Sequence, residues 1–318
     1  MRVAIIGGSG HIGTYLTPRL VEAGHEVVCV SRRQRQPYLP HGAWTQVRHV
    51  VADRSVEEAE GDFGRRIAEI EADVVIDITC FTLDSARQMV ESLRGRVQHF
   101  LHCGTIWVHG PSVVVPTTEA QPRRPFGDYG NRKALIEEYL LREARLNGFP
   151  ATVVHPGHIV GPGWTPLNPQ GNFDPHVYFR LAAGEEVTLP NIGRETVHHV
   201  HADDVAQVFQ KALENRAAAL GESFHAVSPA AVTLLGYAEA VASWFGCEPV
   251  LRFLPWEEFR HAVSEADAVK TWDHIAHSPN CSIEKARKAL GYSPRYTSFQ
   301  AVKESVEVLM AEHRAGER

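Results

Sequence analysis

Short apolar runs alternate with longer amphipathic stretches through the first half of this chain. Runs bounded by turn residues predict buried strands at 3–6, 26–30, 47–51, 73–78, 97–102 and 152–155. Between them, residues 15–24, 55–71, 85–93 and 128–147 read as helices. Such alternation predicts an α/β fold, a doubly wound parallel sheet of the Rossmann type, with ligands beyond the carboxyl ends of its strands. Residues 166–191 are rich in Pro, Gly and aromatics, including Phe173, His176, Tyr178 and Phe179. They predict a loop and helix bordering the cleft. Residues 197–201 then return to the sheet, 203–214 form a helix capped by Asp203, and 224–227 form a last strand. Leu234, Tyr237, Val241, Trp244 and Phe245 fall at helical spacing. The expected organisation is a dinucleotide-binding domain over 1–165, to which 194–228 return. A smaller C-terminal substrate lobe comprises 166–193 and 229–318.

Composition narrows the class. The chain has 318 residues and a formal net charge of −6, with no basic tail, so no nucleic-acid partner is expected. No apolar run approaches the ~20 residues that span a bilayer, so no membrane association is expected. Five scattered cysteines (29, 80, 103, 247, 281) form no CxxC pair and read as reduced thiols. The chain enters its first strand at once, leaving no room for a signal peptide. A cytoplasmic location is the resulting expectation.

The first strand runs into Gly7-x-x-Gly10-x-x-Gly13 and then a helix. A glycine triplet alone is a weak signal; this strand–turn–helix setting is what the motif requires. Gly7 makes the turn, Gly10 lets backbone approach a pyrophosphate, and Gly13 lets the helix pack closely. His11 and Ile12 lie between them, where the helix N-terminus offers N–H groups to the anion. The second strand ends in Ser31-Arg32-Arg33, with no acid to hold a ribose 2′-hydroxyl. Arginine there suits a 2′-phosphate, so NADP is the expected cofactor and NAD the alternative. Asp53, after the third strand, either accepts from the adenine amino group or caps a helix.

Tyr129 and Lys133 stand at i and i+4 and share one helix face. Hydride transfer at a carbinol needs a partner for the hydroxyl proton. A phenol of pKa near 10 becomes a better base beside an ammonium and an oxidised nicotinamide. Thr105, just past the fifth strand, is placed to hydrogen-bond the reacting oxygen. His199 and His201 lie on one face of a strand and His198 on the other, a poor zinc set, so no metal site is expected. Trp107 and Trp164 are candidates to flank the cleft.

These motifs together resemble the extended short-chain dehydrogenase/reductase superfamily, in its NAD-dependent epimerase/dehydratase group, over nearly the whole chain. The matching runs are the glycine triplet, Tyr129-x-x-x-Lys133 and residues 105–110, which resemble Ser/Thr-x-x-Val-Tyr-Gly. Residues 155–163 resemble Arg-Pro-Gly-x-x-x-Gly-Pro-Gly and include Pro156 in the cofactor cleft. Residues 199–206 resemble Phe-Val-His-Val-Asp-Asp-Val-Ala, and 285–294 a Lys-Ala-x-x-x-Leu-Gly-Trp-x-Pro element. The resemblance implies Tyr129 as general acid/base, Lys133 as its tuner and ribose ligand, and Thr105 as a substrate-orienting group.

The chain also departs from that pattern. His155 replaces the Arg before Pro156, and His109 replaces the Tyr of Val-Tyr-Gly. Val197 stands where nucleotide-sugar epimerases carry an Arg for the diphosphate, with Arg194 three residues earlier. Residues 77–82 resemble instead a divergent branch with RNA-binding chloroplast members. The expected function is an NAD(P)-dependent epimerase/dehydratase-type oxidoreductase. It moves hydride at a secondary alcohol or ketone of a sugar or sugar-nucleotide-like substrate. A net NADPH-dependent ketone reductase is the alternative, and a non-catalytic RNA-binding or regulatory relative is the alternative of another class. The resemblance further implies a homodimer through helices near 85–93 and 128–147.

Overall fold

A computed structural model describes residues 1–32 and 36–316. Six strands of the first half are β1 (Arg2–Ile6), β2 (Glu26–Ser31), β3 (Arg48–Val51), β4 (Val74–Asp77), β5 (His99–Cys103) and β6 (Ala151–Pro156). With the edge strand Ser223–Ala226 they build one seven-stranded sheet, every pair parallel. From one edge the order is β3, β2, β1, β4, β5, β6 and Ser223–Ala226, so the winding reverses between β1 and β4. The central strands are apolar on both faces because helices cover both. Val3, Ile5, Ile76 and Leu101 lie in the core under one layer; Ala4, Val75, Phe100 and Val153 lie under the other.

The first layer holds α1 (His11–Glu22) beside the helix Ala202–Glu214. Leu16 and Leu20 of α1 are fully buried on the sheet, each contributing about 2 kcal/mol. The second layer holds α2 (Arg54–Glu60), α3 (Phe63–Ala68), α4 (Leu83–Leu93) and α5 (Gly127–Asn147). The helix expected over 55–71 is in fact two, because Gly61 takes a left-handed conformation (φ +80°) that ends α2.

Two other expectations need correction. Residues 196–201 do not rejoin the main sheet. Thr196–Val197 pairs antiparallel with Val232–Thr233, and His199–His201 pairs parallel with His158–Val160. Nor does Asp203 cap the helix after them: His201 does, its Nδ1 accepting from Asp203 N–H at 3.0 Å. The Asp203 carboxylate instead joins Arg19 of α1 to Arg295 (2.7 and 2.8 Å).

A third core lies in the C-terminal half. Val177, Tyr178 and Leu181 of helix His176–Ala182 pack there with Leu234, Tyr237 and Val241, and with Val302 and Val306 of the last helix. Tyr178, expected to border the cleft, is fully buried and bonds the Tyr237 hydroxyl at 2.8 Å. Among the cysteines, Cys29, Cys80, Cys103 and Cys281 are buried thiols and Cys247 is half-buried. No helix among the described residues is long and apolar enough to cross a membrane.

Gly13 packs against the turn rather than the sheet. A Cβ there would stand 2.2 Å from the Gly8 carbonyl oxygen and 2.3 Å from its carbon. Backbone cannot yield as a side chain can, so Gly13→Ala is expected to cost about 2–3 kcal/mol. Urea unfolding of the variant against wild type measures this.

Candidate active site

A cleft of about 910 Å³ opens at the carboxyl ends of the strands, across the reversal between β1 and β4. Gly7, Gly10, His11 and Ile12 line it from β1 and α1, and Ser31 and Arg32 from β2. Asp53 and Arg54 follow β3; Thr79 and Phe81 follow β4. Cys103, Gly104 and Thr105 enter from β5, and Pro156 and Gly157 from β6. Tyr129 and Lys133 reach it from α5. Of the two tryptophans expected to flank it, Trp164 lines this cleft and Trp107 does not; every catalytic or cofactor residue expected there lines it except two. Gly13 serves the packing described above, and Arg33 lies outside the described residues.

The opening loop fits a dinucleotide. Gly7 takes a left-handed turn (φ +87°) and donates to Val30 O at 2.9 Å. A Cβ on Gly10 would meet nothing within 4 Å but the Gly7 carbonyl oxygen, at 3.2 Å. That bare face lets a phosphate approach the backbone. Gly10 caps α1 without any side-chain bond, and no acid occupies the first turn. The helix end is therefore left to an anion. His11 stacks on Trp164 (4.2 Å, 7°), and burial, then neighbouring His201, lowers its pKa to about 3. The loop so presents a neutral ring beside the anion seat.

At the adenosine end, exposed Arg32 and no acid follow β2. Asp53 lines the cleft and also caps α2, accepting from Ser55 N–H at 3.0 Å. That Ser55 contact, with Arg32 nearby, lowers its pKa. Sequence reasoning missed the group beneath it. Asp77, fully buried at the end of β4, accepts two bonds from Arg54 (2.7 and 2.9 Å). Arg54 also bonds Glu58 at 2.6 Å, and Glu58 accepts from Ser85 at 2.6 Å. The available signal was an acid closing an apolar strand, which demands a cation.

At the other end, Lys133 is 1% exposed. Its ammonium donates to Cys80 O and Cys103 O, both at 2.7 Å, which leaves one of three donors for a ligand. The Thr105 hydroxyl accepts from Trp107 N–H at 3.3 Å and lies near enough to the Tyr129 phenol to favour its ionised form; the Tyr129 ring stands edge-on to Trp107 (5.9 Å). Tyr129 is 44% exposed, and that surface borders the cleft. The ammonium lies 6.0 Å from the Tyr129 ring centre and faces carbonyls instead. Burial raises the Tyr129 pKa, helped by Cys103, and only the Thr105 hydroxyl opposes it. With the cleft open the phenol holds its proton.

Behind Tyr129 a cluster of rings packs together, outside the residues that line the cleft. Trp107 stacks on His277 (4.2 Å, 13°), which stacks on Phe126 (4.0 Å, 23°). Trp107 also touches His274 edge-on, and His274 reaches Phe173. Burial lowers His274 and His277 to about 4, so the cluster is uncharged at neutral pH. The three histidines weighed for metal each have another partner. His198 faces Ser228 O at 2.8 Å, His199 faces Leu167 O at 3.1 Å, and His201 caps its helix.

Residues 3–226 match the family model described as the NAD dependent epimerase/dehydratase family. A 2'-dehydrokanamycin reductase of Streptomyces kanamyceticus is 31% identical over 216 residues, 68% of this chain and 58% of that protein. The match thus spans little more than half the length of that relative. The chloroplast stem-loop binding protein of 41 kDa b from Arabidopsis thaliana is 26% identical over 316 residues, 96% of this chain and 78% of that one. Two solved structures share the fold. UDP-glucose 4-epimerase of Thermotoga maritima has TM-score 0.73 and 21% identity, covering 98% of this chain and 100% of that chain. dTDP-glucose 4,6-dehydratase of Bacillus anthracis in complex with NAD has TM-score 0.75 and 15% identity, covering 99% and 98%.

Since burial outweighs Thr105 in the open cleft, Tyr129 should titrate above the ordinary value of about 10 in ligand-free protein. Oxidised dinucleotide, bringing positive charge to the phenol, should pull it down. Titration of tyrosine labelled with 13C at Cζ, assigned with Tyr129→Phe, reads both; a ligand-free value at or below 10 contradicts the electrostatic picture.

Proposed function

This chain belongs to the NAD dependent epimerase/dehydratase family, and from that premise we propose that it is an NAD(P)-dependent oxidoreductase acting at a secondary alcohol or ketone of a sugar-like substrate. The observation that carries this reading is the convergence of Tyr129, Lys133 and Thr105 at one end of a cleft whose other end is the glycine loop. Bound dinucleotide supplies or accepts the hydride. The chain's own groups handle the proton and the geometry. Thr105 and Tyr129 together hold the substrate oxygen. In the reducing direction the protonated phenol donates to that oxygen as its carbon gains hydride; in the oxidising direction it takes the hydroxyl proton back. Lys133, with one donor to spare, holds the ribose beside the nicotinamide.

Arg32 beside an acid-free strand end supports NADP over NAD, and a cofactor exchanged at each turnover suits net reduction of a ketone. The names of two relatives, 2'-dehydrokanamycin reductase and dTDP-4-dehydro-6-deoxy-D-allose reductase, lie on the same side. Epimerisation would use the same groups in succession without releasing the cofactor. The stem-loop binding relative keeps an RNA-binding reading in view. A net charge of −6 disfavours it, since RNA affinity rests on basic surface. We place the protein in the cytoplasm as a homodimer through α4 and α5, where Leu135 and Leu146 are exposed.

Tyr129→Phe should lower turnover about 10²–10⁴-fold while dinucleotide affinity stays near wild type. NADPH consumption with a panel of keto sugars, beside calorimetric cofactor binding, measures the two. Retention of activity removes Tyr129 from the chemistry. Separately, Arg32→Ala should weaken NADPH binding about tenfold and leave NADH binding unchanged, the loss of one phosphate contact. Equal effects on both cofactors would reverse the NADP assignment.

A further inference from the structure

We propose that Glu137 and His155 form a buried positioning pair that fixes the distance between Tyr129 and Thr105. The proposal rests on the reading of Tyr129 as the proton-transfer group. Tyr129, Lys133 and Glu137 follow one another at intervals of four along α5, so all three share one face. Each faces the end of β5 or the residues just past it, Glu137 through His155. Tyr129 and Thr105 line the same cleft, the hydroxyl close enough to favour the ionised phenol. Lys133 bonds Cys103 O at 2.7 Å. Glu137 accepts from His155 Nε2 at 2.9 Å, and His155 Nδ1 accepts from the Thr105 backbone N–H at 3.0 Å.

The tautomer follows from these bonds. Nδ1 receives a hydrogen, so the ring proton resides on Nε2 and is donated to the carboxylate. His155 is fully buried and Glu137 is 2% exposed, so water does not compete for either bond. Arg123 grips the same carboxylate at 2.6 and 2.8 Å, so it is not left as an uncompensated buried charge. Gly104 allows the ring this close: a Cβ there would lie 2.4 Å from His155 Nδ1. The path from α5 through Glu137, His155 and Thr105 to Tyr129 therefore closes on α5 itself. Hydroxyl and phenol are fixed by one helix and cannot drift apart independently. His155 stands on β6 outside the cleft lining, so it acts through Thr105 and does not touch substrate.

Two isosteres separate the bonds. In His155→Asn the amide oxygen falls near Nδ1 and keeps the Thr105 N–H. In His155→Gln the amide nitrogen falls near Nε2 and keeps Glu137 but abandons Thr105. The readout is the Tyr129 titration in the full-length protein with saturating NADP+, using 13Cζ-tyrosine, with circular dichroism and Tm on the same samples. Since the Thr105 hydroxyl favours the ionised phenol, His155→Gln should raise the Tyr129 pKa by about 0.5–1 unit. Dinucleotide affinity should stay within about twofold, and His155→Asn should remain near wild type. Where a keto sugar is turned over, kcat should fall about tenfold in His155→Gln with little change in KM, as expected for a loss felt only in the transition state.

Unchanged Tyr129 titration in a folded His155→Gln variant overturns the proposal, as does an Asn variant no better than Gln. If neither variant folds, 15N spectra of wild-type His155 decide instead. A protonated Nε2 with an acceptor Nδ1 supports the pair, and a protonated Nδ1 refutes it. The titration needs no substrate. A Tyr129 shift in a protein without turnover therefore leaves the positioning intact while the functional reading fails; turnover without the shift does the reverse.

Discussion

One buried ammonium organises the site. Lys133 leaves water almost completely, a costly placement unless its hydrogens are taken up. The carbonyl of Cys103, ending β5, and that of Cys80, past the end of β4, take two of them. The long helix α5 is thereby tied to the sheet next to the point where the winding reverses. Everything the helix carries on that face inherits the fixed point: Tyr129 one turn before it and Glu137 one turn after. Burial lowers the Lys133 pKa, while Cys103, Cys80 and Asp77 nearby hold the charge in place. The anchor is thus electrostatic as well as geometric.

The cleft has two chemically different ends because two kinds of strand terminus meet there. At the glycine loop the backbone does the recognising, with bare N–H groups and no competing side chain. At the adenosine side, charges are abundant but already paired, Arg54 with Asp77 and Glu58. At the substrate side Phe81, Thr105 and Tyr129 line the cleft, with neutral histidines packed behind them. A dinucleotide with a charged middle and a flat terminal ring matches the first parts. The last leaves room for a molecule recognised by its faces and hydroxyls.

Much of this was readable in the chain itself, for local reasons. The glycine loop needs only consecutive residues, and the shared face of Tyr129 and Lys133 needs only the helical repeat. The parallel, doubly wound sheet follows from alternating elements. What escaped reading depends on residues distant in sequence. Asp77 and Arg54 are 23 positions apart, and His155 meets Thr105 across 50. The cap at His201 escaped because an imidazole nitrogen took a role usually filled by the acid two residues on. The broken helix at Gly61 was overridden by amphipathic spacing that continued past it. Residues 197–201 form strands as expected, yet they pair with His158–Val160 and Val232–Thr233, partners the local sequence does not reveal.

The thiols described earlier have a practical side. Burial pushes Cys80 and Cys281 up to about 12 and Cys103 to about 11, so none of these offers a thiolate at ordinary pH. Cys29 is sealed inside the sheet core. Cys247, half-buried with its sulfur 3.3 Å from Ala182 O, is the one accessible to reagents in the native state. An alkylating fluorophore would therefore mark a single point in the C-terminal half, an addressable reporter for following how that half moves against the sheet without engineering any residue away.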